Sequence, residues 1–135
     1  METKIFLNLP IKDLQKSIAF FNQLGFSLNP KFTNDKGACV ILGSYNNAML
    51  LTEEFYQTFT KKAICDATKS SEIIISIAVD NREKVDEMIE KAIKAGGVEY
   101  MEVKDYGWMY LRCFLDLDNH HWEVFFMDES QMPQG

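Results

Sequence analysis

Apolar residues along the chain follow two alternating rhythms, and the order of those rhythms occurs twice. Residues 4–11 (KIFLNLPI) alternate with period two and predict a strand. Leu14, Ile18, Phe21 and Leu24 then recur at helical spacing behind Asp13, a good N-cap, and Gly25 stops the pattern. Strands are predicted at about 26–33, 38–43 and 47–52, separated by Asp35-Lys36-Gly37 and Gly43-Ser44 turn chemistry. The second half repeats this order. Residues 72–79 (EIIISIAV) predict a strand, and Asp80 with Glu83 fits a capping box. Val85, Met88, Ile89, Ala92 and Ile93 form a helix face that Gly96-Gly97 ends. Strands near 99–104, 108–116 and 121–127 follow, with the last hairpin turning across Asp118-Asn119.

The expected fold class is α+β: two tandem β-α-β-β-β modules in one domain spanning residues 1–135. Module one covers about 3–52, a connector 53–70 and module two about 71–128. The connector is expected to hold one short helix. Its Phe55, Tyr56 and Phe59 either pack locally or cap a pocket or dimer seam.

Strand parity suggests where a site lies. Phe6, Asn8 and Pro10 share one face of the first strand, and Ile74, Ser76 and Ala78 one face of the fifth. In the last two strands, Met109, Leu111, Cys113, Leu115, Trp122, Val124 and Phe126 read as an apolar face under the helices. Tyr110, Arg112, Phe114, Asp116, His121, Glu123, Phe125 and Met127 read as the opposite, mixed face. A turn centred between Asp118 and Asn119 puts Glu123 near Phe114 and diagonal to Arg112. That pair is either an ion pair that braces the sheet or an acid–base group beside an anion-holding guanidinium. A mixed, aromatic-rich face suits a small-molecule pocket; a half-solvated sheet or a subunit interface has the same pattern.

Composition narrows the function classes. The 135 residues carry 20 acidic and 14 basic side chains, a net charge of −6, and no basic stripe, so no nucleic-acid partner is expected. No apolar run approaches the ~20 residues of a membrane span, and the N-terminus has no apolar signal core. Cys39, Cys65 and Cys113 are odd in number and widely spaced, as expected for reduced thiols in a cytoplasmic protein.

The segments Leu9-Pro-Ile-Lys-Asp-Leu-Gln-Lys-Ser17, Phe20-Phe21 and Leu24-Gly-Phe26, with Phe114-Leu-Asp-Leu-Asp-Asn-His-His-Trp-Glu123, carry a family resemblance. Together with the duplicated plan, the chain resembles the vicinal oxygen chelate superfamily over about residues 3–128. That group includes glyoxalase I, extradiol dioxygenases and bleomycin-resistance proteins. The resemblance implies a curved mixed-sheet cup and, in the enzymes, one divalent metal held by His or Glu from the first and last strands of each module. Carried over, those ligand positions fall on Phe6, on a fourth strand without His, Asp or Glu, on Ile74 and on Glu123. Only Glu123 is a ligand type. His120 and His121 read as a hairpin-exposed pair, with only His121 on Glu123's face. The expectation is therefore a degenerate metal site, no cofactor and no metal ligands, a divalent metal being the disfavoured case.

The function expected from the resemblance is small-molecule binding in the cup, lined by Phe6, Asn8, Ile74, Ser76, Phe114 and Phe125. The alternative is a divergent lyase, isomerase or dioxygenase related to glyoxalase I, with Glu123 as surviving base or ligand; a metal-free version would use Glu123 as base, Arg112 as anion holder and Tyr110 as donor. A homodimer is expected, with the connector aromatics and the tail from Ser130 to Gly135 as candidate contacts.

Overall fold

The computed structural model describes residues 2–133. The chain divides into two compact units, one ending at Asp66 and the next beginning at Ala67. Gln134 and Gly135 of the expected contact tail lie outside the described residues.

In the first unit, β1 (Ile5–Ile11) leads into α1 (Leu14–Gln23). The Asp13 side chain accepts the Lys16 amide at 3.1 Å and so caps the helix. Leu14, Ser17, Phe20 and Phe21 form the buried stripe. Each large apolar side chain so buried contributes roughly 1.5–3 kcal/mol of transfer free energy. Gly25 follows at φ +102°, a conformation closed to ordinary side chains. β2 (Ser27–Asn29) is shorter than the predicted strand. The Asn29 side chain caps a 3₁₀ turn at Pro30–Phe32, and a proline cannot donate to a ladder. β3 (Gly37–Ile41) and β4 (Asn46–Thr52) complete a sheet ordered β1-β4-β3-β2, with β1 parallel to β4. A short helix α2 (Glu53–Tyr56) and a 3₁₀ turn at Gln57–Phe59 follow. There Phe55 meets Phe59 edge-on at 5.0 Å and Lys36 lies over the Phe55 ring, so these two connector aromatics make contacts within their own unit.

The second unit repeats the topology. β5 (Ile74–Ala78) precedes α3 (Arg82–Lys94), whose buried stripe is Val85, Ile89 and Ala92. The expected cap is corrected by one residue. Asn81 accepts the Lys84 amide at 2.8 Å, while Asp80 makes an exposed ion pair with the Lys84 ammonium. The strand expected near 99–104 is split into β6 (Val98–Glu99) and β7 (Lys104–Asp105), and Met101 lies between them at φ 70°. β8 (Met109–Leu115) and β9 (His121–Met127) form the long hairpin. The sheet runs β5-β9-β8-β6, with β7 also on β8 and β5 parallel to β9.

The β8–β9 register corrects the predicted faces. Leu115 pairs with His121, Phe114 with Trp122, Cys113 with Glu123 and Arg112 with Val124. The loop 116–120 has an odd number of residues, so the hairpin is centred on Asp118 rather than between Asp118 and Asn119. Asp116 sets that centre. Its carboxylate is buried and accepts the Asp118 amide at 2.9 Å, the His120 amide at 3.0 Å and the Trp122 indole N–H at 2.9 Å. Asn119 takes the left-handed conformation at φ 65°. A shift of one residue transfers a whole strand to the other face. Tyr110, Arg112 and Phe114 therefore share Trp122's face, against α3. Met109, Leu111, Cys113 and Leu115 share the face of His121 and Glu123.

Candidate functional site

The mixed face of the second unit's sheet is built from three strands. β5 contributes Ile74, Ser76 and Ala78, which pair with His121, Glu123 and Phe125 of β9. β8 contributes Leu111, Cys113 and Leu115, the partners of Phe125, Glu123 and His121. Ile74, Ser76 and Ala78 are exposed, His121, Glu123 and Phe125 are half-buried, and Cys113 is buried.

At the centre is Glu123. Its Oε1 accepts the Ser76 hydroxyl at 2.7 Å, and its Oε2 lies 3.9 Å from the Cys113 thiol. Among the described residues it forms no ion pair. Burial, and then the charge of Glu123, pushes the Cys113 thiol up to about 11. The thiol is therefore protonated near neutral pH and is no ready nucleophile. The His121 ring stands edge-on to Tyr100 at 5.2 Å. Its Nε2 is fully enclosed and has no hydrogen-bond partner. Cys113, His121 and Glu123 each offer one ligand atom, and the three atoms lie within 4.8 Å of one another.

Ile74, Ser76, Glu123 and Phe125 thus come together on one face, as strand parity predicts. Three other expected site residues do not join them. Phe114 is fully buried and its ring stacks on Trp122 at 6.2 Å. Arg112 lies on the α3 side, and the predicted Arg112–Glu123 adjacency is corrected. Its Nε and Nη2 donate to the Glu99 carboxylate at 2.8 Å each, and its Nη1 to Asp86 at 2.7 Å. Those bonds to Glu99 above all raise its affinity for its proton. The Tyr110 hydroxyl donates to the same Asp86 oxygen at 2.6 Å, which pushes the phenol's pKa up. Arg112 is thus engaged by α3 and β6, and Tyr110 by α3.

Phe6 and Asn8 are exposed on β1 of the first unit, where Phe6 meets Phe32 edge-on at 6.3 Å. Phe6 pairs with Asn47, and Asn8 with Met49. At the corresponding places in the second unit stand the pairs Ile74–His121 and Ser76–Glu123. The first unit's counterpart of Glu123 is thus a methionine. The expected exposed histidine pair is also corrected. His120 is buried and His121 half-buried, because the turn at Asp116 draws both into the hairpin. Cys113 joins this face through the β8–β9 register, where strand parity had put it on the opposite one, and no local pattern in the sequence signals the change.

Residues 3–43 match the family model described as bleomycin resistance protein-like N-terminal. None of the curated proteins compared with the chain matches it significantly. Among solved structures, the hypothetical protein SA1046 from S. aureus is 29% identical, with a TM-score of 0.78 over 93% of this chain and 95% of that one. A glyoxalase-related enzyme from Fulvimarina pelagi is 19% identical at TM-score 0.78, covering 100% of this chain and 94% of its own. A glyoxalase/bleomycin resistance protein/dioxygenase family enzyme from Burkholderia phytofirmans PsJN is 17% identical at TM-score 0.74, covering 90% and 96%. The chain therefore has the duplicated β-α-β-β-β fold of these glyoxalase/bleomycin resistance protein/dioxygenase structures, and its first module matches the bleomycin resistance protein-like N-terminal model.

Proposed function

We propose that this protein binds a small molecule on the mixed face of its second module, and that the chelate typical of its superfamily is degenerate here. The observation that carries this is Glu123. It is a half-buried carboxylate without an ion-pair partner among the described residues, beside exposed Ile74 and half-buried Phe125. An apolar surface with one directional polar group is the usual composition of a ligand site. The unpaired charge favours a cationic or hydrogen-bond-donating ligand. Arg112, the residue that argued for an anion, is turned to the other face and engaged by Glu99 and Asp86.

The resemblance puts ligands at Phe6 and Ile74, which have no donor atoms in their side chains, so a four-ligand chelate drawn from both modules is not available. The protein acts as a cytoplasmic homodimer in this reading. A monomer in sedimentation velocity at micromolar concentration would remove the dimer.

A thermal-shift panel of cationic antibiotics, organic acids and thiol conjugates tests the binding. A cationic or neutral aromatic compound at a hundred times its Kd adds about 2.7 kcal/mol, a shift of several degrees at this chain length. Glu123→Gln should abolish the shift given by cations. Silence across the whole panel, or a response to acids alone, would overturn the proposal.

A further inference from the structure

The geometry points to a zinc site that the β8–β9 hairpin builds by itself, from Cys113 Sγ, His121 Nε2 and a Glu123 carboxylate oxygen, with a fourth position open. This goes beyond the binding reading and stands without it. It is also not the superfamily's ligand set. Phe6 and Ile74 contribute nothing, and only Glu123 occupies a position that the resemblance marks as a ligand.

The register makes the triad. Cys113 and Glu123 are direct cross-strand partners, and His121 lies two residues before Glu123 on the same face. Three side chains thus converge from one rigid hairpin. Sulfur, imidazole and carboxylate are the donor types that zinc accepts, and three protein ligands with an open fourth position is the usual form of a zinc site that also takes water or substrate. Zinc–ligand bonds of about 2.0–2.3 Å put neighbouring ligand atoms roughly 3.3–3.6 Å apart. The three atoms here lie within 4.8 Å, and Sγ to Oε2 is already 3.9 Å, so side-chain rotations of about an ångström close the site.

The enclosed His121 Nε2 is the second, independent observation. It is the described chain's one buried side-chain nitrogen or oxygen without a partner. Such an atom costs stability unless something occupies its lone pair or takes its proton. His121 belongs to the one described cluster of possible metal ligands. The outer contacts suit an ion as well. Ser76 holds Glu123 through Oε1 and leaves Oε2 toward the thiol, and Tyr100 braces the His121 ring.

The test is a cobalt titration of the full chain after dialysis against a chelator, followed by displacement with zinc. The expected result is one equivalent of Co²⁺ with tetrahedral visible bands and a thiolate-to-cobalt charge-transfer band, both erased by Zn²⁺. Cys113→Ser should remove the charge-transfer band. His121→Gln should weaken zinc by about tenfold or more. Cys65→Ser, which alters an exposed cysteine elsewhere, should change neither. No charge-transfer band at one equivalent, or the same band in Cys113→Ser, would overturn the site. If Cys113→Ser fails to fold, peptide mapping of the unaltered protein decides. Zinc that shields Cys113 from a thiol reagent upholds the site, and unaltered labelling overturns it. The small-molecule panel repeated with chelator present separates this result from the binding proposal.

Discussion

Phe114 and Trp122 are direct cross-strand partners whose fully buried rings stack within 2° of parallel, on the face opposite that of Cys113 and Glu123. With Phe114 locked against Trp122, its neighbour Cys113 faces the other way and lies opposite Glu123. Replacing Phe114 with Ala should therefore cost about 3–5 kcal/mol through the cavity it leaves. Urea unfolding followed by tryptophan fluorescence measures this, and a loss under 1 kcal/mol would contradict the packing.

Asp116 holds the turn that sets the register. Asp116→Asn leaves one oxygen where the carboxylate had two, so at least one of the Asp118 amide, the His120 amide and the Trp122 indole loses its acceptor. The expected loss is about 1–3 kcal/mol for the buried donor left unmatched. Comparing urea midpoints of the two proteins at neutral pH gives the answer.

Arg112 braces α3 and β6 against β8. Arg112→Met strands Glu99 and Asp86, both only partly exposed, and is expected to cost about 1–3 kcal/mol after allowance for solvent screening at Asp86. Tyr110→Phe removes one hydrogen bond, a loss of about 0.5–1.5 kcal/mol. The two changes share Asp86 Oδ1, so their double-mutant cycle should show coupling rather than additivity.

Acid should expose a second ion pair. The Arg82 guanidinium, first by hydrogen bonding and then with help from the Gly107 amide, holds the Asp105 carboxyl down at about 2, below its ordinary value of 3.8. Asp86 is also lowered, first by the Tyr110 hydroxyl and then by Arg112. A carboxylate with a depressed folded-state pKa stabilises the protein above its unfolded value, and that stability is lost as pH falls through the folded one. Stability should therefore drop as pH falls from about 4 toward about 2. In Arg82→Gln the Asp105 share of that slope should vanish, as denaturant titrations at several acidic pH values would show.

Two glycines should respond oppositely to alanine. Gly96 sits at φ +108°, and an added Cβ would lie 3.1 Å from Leu117 Cδ2, so Gly96→Ala should cost about 1–2 kcal/mol. At Gly43 the nearest atom to such a Cβ is Asn46 Nδ2 at 3.7 Å. Gly43→Ala should be neutral or stabilising by a few tenths of a kcal/mol, about the entropy removed from the unfolded chain. Thermal melts of the two variants side by side would show the contrast.

The amino-acid sequence by itself determined the duplicated order of elements, the α1 and α3 buried stripes and the faces of β1, β5 and β9. In each of those, a local period separates apolar from polar residues. Leu9 and Ile11 alternate with Asn8, and Trp122 and Val124 with His121 and Glu123, so burial follows from neighbours in the chain. Helix caps were legible to within a residue, because Asp80 and Asn81 are both good caps and only backbone placement chooses between them. β8 was different. Its alternation favours Met109, Leu111, Cys113 and Leu115 as the face under the helix, because Tyr110 and Arg112 make the other parity more polar, and the structure packs that more polar parity against α3 instead. The strand's direction was decided in the tertiary structure, by the three donors that converge on Asp116 and fix the hairpin's centre. The candidate site followed from that choice. Glu123 and Ser76 were legible as site residues from strand parity, but Cys113 joined them only through a cross-strand register that one residue of turn length controls, a long-range constraint that no local pattern encodes.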